Sequence, residues 1–508
     1  MLRWGGKAWA GGGCVRRGAC KHGRDWGWAV MRGTLAADGA RGQPIQEGAM
    51  ARRLRQPNRE LAALIAEAGF SKKGLAARVV RAGEARGYQD LRFNHSSVER
   101  WLRGQRPRPP APGLLAEVFS VRLGRPVTLV ELGMSGEHVP DQAALQMPPT
   151  TVQAAQVIHG LAEGDLEQRR VLTGSGFDRA AFSSAALRWL VSPRTAIQHG
   201  DGSRRIGVRD VQAIREAIGA FRVLDNRLGG GRIRPTVVSY LHADIAPLLR
   251  DARCTDDVRR QLFSAAAELS QLCGWQAHDL EMQGLAQRYL VQALSMARFA
   301  QDEGLGGEIL AAMSQQAAYV AQAEQAIDMA QAAHAAARRA GLPVLQTETM
   351  VMEAHGHALR QDATSCARAM RRAETVFGQA SAGDVPPWLG YFDEAYFAAK
   401  IAHCFRALGQ GPLAEKYALR SLEMNPDYVR GKAFNMALLA MSYALQGEVE
   451  QACARGRQAV DLAAGLDSSR ALAYIRDVLR SLAPYASARQ AGEFTEYAAG
   501  RLPGLRRA

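Results

Sequence analysis

No run of about eighteen apolar residues, the length a membrane-spanning helix needs, occurs anywhere in the 508 residues. The opening residues Met1 to Lys7 carry positive charge with no apolar stretch behind them, which argues against an export signal. Cysteine is sparse: Cys14, Cys20, Cys254, Cys273, Cys366, Cys404 and Cys453 are scattered, odd in number and never in a C-x-x-C pair. That pattern favours neither a zinc site nor a disulfide framework, and fits a reducing cytoplasm. The later cysteines lie among apolar residues and read as small core fillers. Catalytic signatures are missing as well. There is no G-x-x-x-x-G-K-[ST], no H-E-x-x-H and no G-x-S-x-G, so neither an enzyme nor a bound cofactor or metal is expected. His355 and His357 fall two apart in a predicted helix and so point to different sides. His278-Asp279 beside Trp275 reads as a packing and hydrogen-bonding feature, not as an acid–base pair.

Acidic residues are in short supply at one end only. Of the net charge of +15, residues 1–49 carry +5 and residues 51–110 carry +9, leaving about +1 for residues 111–508. A localised basic domain is the electrostatic footprint of something that meets phosphate.

What is present is almost entirely helical in pattern, so the fold class is all-α. Residues 1–49 show no period and are expected to be disordered or a non-native extension, with Met50 resembling a native start. Residues 50–135 form a small basic domain. Asn58 caps a helix whose face carries Leu61, Leu64, Ile65 and Ala68, and Gly69 ends it. Ser71 caps a second helix through Leu75, Ala76 and Val79, and a short helix from about His95 to Arg103 is closed by Gly104. A further helix, Gly113 to Leu123, precedes Val127-Thr-Leu-Val-Glu-Leu132. Residues 136–205 read as a linker with partial helix, and residues 206–254 as helices at 208–228 and 235–249 around Gly229-Gly230-Gly231. Residues 255–500 form a helical-repeat array.

Leu75-Ala76, followed by Val98-x-x-Trp101-x-x-Gly104, supplies the tight crossing and closed second helix that a helix-turn-helix requires. The region from about 55 to 134 resembles the phage-repressor-like (Cro/C1-type) helix-turn-helix family. It departs from that family in placing 23 residues between Leu75 and Val98, about twelve more than usual, so Gly83 to Asn94 must form a loop or a longer second helix. The resemblance implies binding of double-stranded DNA. Asn94, His95, Ser96, Ser97, Glu99 and Arg100 would then be the base-facing candidates, with Arg100 best suited to guanine. Lys72, Lys73, Arg103, Arg106 and Arg108 would hold phosphates. Trp101 is expected in the core.

Small residues at Ala286, Ala326, Cys366, Ala414 and Ala452 recur at spacings of 40, 40, 48 and 38. The units Ile401-Ala402-x-x-Phe405-x-x-x-Gly409-x-x-x-x-Ala414 and Leu439-Ala440-x-x-Tyr443-x-x-x-Gly447-x-x-x-x-Ala452 resemble tetratricopeptide repeats. Such hairpins stack into a superhelix whose concave face takes proteins or peptides. Trp275, His278, Gln287, Arg288 and Tyr289 are ligand candidates by residue type. Together with Phe221 to Gly231 and Trp101 to Pro110, these stretches resemble actinobacterial, chiefly streptomycete, regulators that join a divergent helix-turn-helix to tetratricopeptide repeats. The resemblance implies a cytoplasmic, nucleoid-associated homodimer, and some members of that group repress sporulation and antibiotic production. The alternative is a repeat scaffold for protein interaction whose helix-turn-helix no longer binds DNA.

Overall fold

Every described element of the computed structural model is helical, apart from an isolated bridge between Arg205 and Arg253. The chain divides into Met1–Pro57 and Asn58–Ala508. Described are residues 57–507 except 86–87, 89–90, 106, 108–109, 126, 128–130, 133–141, 169, 192–203 and 380–384. The expectations for residues 1–49, Met50, Arg106 and Arg108 lie outside these.

The basic domain has four helices: α1 (Arg59–Glu67), α2 (Lys72–Ala85), α3 (His95–Leu102) and α4 (Ala111–Leu123). Asn58 caps α1 by accepting the Leu61 N–H at 2.8 Å, and its amide donates to the Leu132 carbonyl at 2.9 Å. One side chain thus starts the domain and ties down its closing segment. Ser71 does the same capping work at α2, accepting the Gly74 N–H at 3.1 Å. Leu61, Leu75, Val79, Val98, Trp101, Leu115 and Phe119 form the core. The long Leu75–Val98 interval is absorbed in two ways. The helix α2 runs on to Ala85, and Leu91 then folds back onto Gly83, where a Cβ would lie 2.4 Å from the leucine Cδ1. Phe93 packs edge-on against Trp101, which is 4% exposed.

Where a linker with partial helix was expected, α5 (Thr151–Leu166) and α6 (Arg179–Val191) form. Their small and aromatic residues, among them Ala154, Ile158, Phe182 and Trp189, join the same apolar core as the first hairpins. A weak hydrophobic period hid them, because alanine faces bury well but scarcely register as amphipathic. Next come α7 (Val208–Leu228), α8 (Gly230–Tyr240), a π turn (Leu241–Ile245) and α9 (Ala246–Asp251). The helix α8 begins at Gly230, five residues before the sequence pattern suggests. A side chain at Gly231 would meet Asp467 and one at Gly230 would meet Asp279 and Gln276, while Gly229, with φ +87, also lies against Asp467.

The rest is six hairpins among the described residues: α10 (Asp256–Asp279) with α11 (Gln283–Ala300), α12 (Glu303–Tyr319) with α13 (Ala323–Arg339), α14 (Pro343–Leu359) with α15 (Ala363–Gln379), α16 (Glu394–Ala407) with α17 (Gly411–Ser421), α18 (Val429–Leu445) with α19 (Val449–Ala464), and α20 (Ser469–Leu482) with α21 (Arg489–Arg501). Ala286, Ala326, Cys366, Ala414 and Ala452 each occupy the fourth position of a second helix, and all are fully buried. Larger side chains there would hold the paired helices apart, typically at about 1–3 kcal/mol. The first helices, α10 to α20 by even number, pack side by side and build the inner wall of the superhelix.

Candidate functional site

Two regions concentrate chemistry. The first is the outer face of α3. Asn94 accepts the Ser97 N–H at 3.0 Å and the Ser97 hydroxyl at 3.2 Å, while the Asn94 N–H donates to Ser97 Oγ at 3.3 Å. Ser97 is therefore engaged in a capping box and only 5% exposed, so its side chain faces the domain rather than solvent. His95, Ser96 and Arg100 are exposed, and Arg103 is largely so. Glu99 accepts from Lys72 at 3.0 Å and lies 3.8 Å from Arg103. The bonded Lys72 ammonium holds the Glu99 carboxyl below its ordinary range. Lys72 is thereby shared between α2 and α3, whereas Lys73 stands exposed beside it.

The second region is the inside of the hairpin array, which the chain closes upon itself. Asp279, at the C-terminal end of α10, is fully buried. It accepts the Gly230 N–H at 2.9 Å and pairs with Arg430 at 3.4 Å and Arg470 at 3.3 Å, at the starts of α18 and α20. Arg430 also reaches Asp225 of α7 at 2.6 Å. Burial would push the Asp279 carboxyl up, but the two guanidinium groups and the Gly230 N–H outweigh it and hold it below the usual range. Nearby, the Asp467 carbonyl accepts from the Gly231 N–H and the Asp467 N–H donates to the Leu228 carbonyl, both at 2.9 Å. First and fifth-to-sixth hairpins are thus clasped together. The helix α7 lies across the opening, placing Arg215 at 3.4 Å and Arg222 at 3.8 Å from Glu268, with Arg222 donating to the Trp388 carbonyl at 3.4 Å.

The inner wall repeats in the register of the buried anchors. Glu268, Glu308, Glu348, Tyr396 and Phe434 are separated by 40, 40, 48 and 38 residues, as are Trp275, Gln315, His355, His403 and Met441. Tyr391, from the longer connection between the third and fourth hairpins, donates to Glu308 at 2.8 Å or Glu348 at 2.9 Å. Burial raises both carboxyls, Glu308 to about 7, and the Tyr391 hydroxyl lies between them. Lys400 donates to Gln315 Oε1 at 2.7 Å and lies over the Tyr396 ring at 4.9 Å. Burial lowers its ammonium to about 8. His355 and His403 lie tilted at 5.7 Å, and His403 meets Tyr474, which stacks on Phe434 at 4.7 Å. His278 packs against Trp275 and Tyr319 and bonds Gln283 through Nδ1 at 2.9 Å. Burial holds His278 and His355 down to about 3, so both rings are neutral near pH 7.

Of the ligand candidates named from sequence, only Trp275 and His278 reach this interior. Gln287, Arg288 and Tyr289 lie on α11, the outer helix of the first hairpin. They are consumed by packing: Gln287 bonds the Asp178 backbone twice, Arg288 bonds Ser175, and the Tyr289 hydroxyl donates to Asp165 at 2.6 Å. Asp165 is also held by Arg234 through two bonds of 2.7 and 2.6 Å. His357 sits away from His355, against Glu353 and Asp362. Lys400, Gln315, the three glutamates and Tyr391 were not anticipated. Glutamates recurring every 40 residues within alanine-rich helices were the available signal.

Residues 61–135 are similar to the SP15 N-terminal domain family, a match that spans α1 to α4 and the closing segment. No curated protein matches this chain.

Proposed function

We propose that this chain is a DNA-binding transcriptional regulator whose hairpin array senses a signal and mediates dimerisation. The observation that carries the reading is the polar, cationic outer face of α3: His95, Ser96, Arg100 and Arg103 stand exposed on a short helix anchored by Val98 and Trp101 in an independent core. Its position after α2 matches a recognition helix, and the charge of residues 51–110 supplies phosphate attraction. Arg100 is the base-reading candidate, with Lys73 and Arg103 on the backbone. Ser97 and Asn94 serve in this reading to fix the helix start, and Glu99 to orient Lys72. A homodimer would pair two such helices on half-sites one turn apart. The helix α7 and the Asp279 clasp restrict the concave face, which favours a small ligand over an extended peptide as the signal.

The test is binding of the full chain to duplex genomic fragments, with sequencing of those retained and a salt titration. A recurrent palindromic site with affinity falling steeply in salt supports the reading. Arg100→Ala should cost about 1–3 kcal/mol and relax one position of the site. Equal retention of all sequences, or of none, refutes it and favours the interaction scaffold.

A further inference from the structure

The interior enclosed by the clasp contains a cation whose nearest bonded neighbour is neutral. Lys400 is 8% exposed, and its Nζ hydrogen-bonds an amide oxygen, not a carboxylate. Among the described residues no carboxylate pairs with it within 4.0 Å: Glu348 and Glu308 act on it only through space while bonded to the Tyr391 hydroxyl, and Asp279 is taken by Arg430 and Arg470. Arg406 adds a second positive group at the same end, its Nη1 facing only the Met441 sulfur at 4.0 Å and its Nε without a hydrogen-bond partner. An unpaired charge in a low-dielectric interior is costly, and a bound counter-charge relieves that cost.

Around Lys400 stand flat side chains: Tyr396, His355, His403 and Tyr474, with Trp275 and Tyr319 beyond. All six keep part of their surface open to solvent although the hairpins surround them, which is how residues lining a hollow behave. The buried His278 offers Nε2, which has no hydrogen-bond partner. Burial, with Lys400 and Arg406 adding to it, keeps His355 neutral.

We propose that this hollow binds a small planar carboxylate, its anionic head on Lys400 and its ring between the histidine and tyrosine faces. A bonded anion at Lys400 gains a charge-assisted hydrogen bond, and the ring gains contact with the flanking aromatic side chains. The proposal rests on the reading of the array as a sensor, but its test is independent of DNA.

The experiment is calorimetric titration of the full chain, without DNA, with benzoate, salicylate and indole-3-acetate, each against its uncharged amide. At least one acid should bind with its amide at least tenfold weaker. Lys400→Met should abolish the acid's advantage. Because that variant changes a buried charge, Gln315→Glu provides a second arm. It places an internal carboxylate on Lys400, so the protein should remain folded by circular dichroism yet lose acid binding. Acids and amides binding equally, no acid binding at all, or full acid binding by Gln315→Glu would each overturn the proposal. Loss of DNA binding with acid binding intact would count against the regulator reading alone.

Discussion

Replacing Asp279 by alanine should open the array at its seam. The carboxylate is fully buried and satisfies Arg430, Arg470 and the Gly230 N–H at once. Removing one partner of a buried ion pair typically costs about 3–5 kcal/mol, because the surviving charge stays desolvated. Arg430 keeps Asp225 at 2.6 Å, so the loss falls mainly on Arg470 and the lower end, about 3 kcal/mol, applies. The matched control is Asp461→Ala, whose own exposure and that of its partner Arg501 should make it worth less than about 1 kcal/mol. Urea unfolding of the full chain, followed by circular dichroism, gives the comparison. Hydrogen exchange then locates it, with faster exchange expected at residues 225–231 and 465–471. The same carboxyl titrates below its unfolded value, so its contribution is present above about pH 4 and is lost as pH falls further, through the folded value. If Asp279→Ala proved no more damaging than Asp461→Ala, the clasp would not be holding the array closed.

Three other outcomes follow from the same geometry. His278 is neutral in the fold and titrates near 3, against about 6.5 unfolded, so protons favour the unfolded chain in between. Native stability should therefore fall, relative to His278→Gln, by about 1.6 kcal/mol in all from pH 6.5 to 5, and parallel urea curves would contradict this. In Gly306→Ala the new Cβ would sit 2.1 Å from the Trp189 ring, displacing α6 at about 1–3 kcal/mol. Unchanged exchange in residues 179–191 would argue against that docking. Ala321 holds φ +59 in the second hairpin's turn, so Ala321→Gly should stabilise by about 0.5–1 kcal/mol despite glycine's greater unfolded freedom, as thermal unfolding would report.

That turn also explains which repeats the sequence displays openly. In the fourth and fifth hairpins the left-handed position is Gly409 and Gly447, and there the repeat pattern is plain. In the first three, Glu281, Ala321 and Gln361 occupy the equivalent turn at φ near +60, removing the marker that makes a hairpin conspicuous. The buried anchors survive in all five because helix crossing demands a small residue whatever the turn contains. The caps at Asn58 and Ser71 are equally legible, since their hydrogen bonds lie within three residues, whereas Asn94, a base-facing candidate from sequence, caps α3. The inner site was harder. Glu308 and Gln315 belong to the second hairpin, whereas Tyr391 and Lys400 lie just before and within the first helix of the fourth, so their contacts span 83 and 85 residues and only the stacking of hairpins brings them together. Closure in turn rests on Asp279 meeting Arg430 and Arg470, a pairing across more than 150 residues that no local period announces.

Hydroxyl-radical footprinting of the full chain on a retained fragment is the sharpest trial of the proposal that α3 reads DNA. Protection is expected in two short patches about one helical turn (10–10.5 base pairs) apart, lost together in Arg100→Ala. Uniform protection along the fragment, or a footprint indifferent to Arg100, would contradict it.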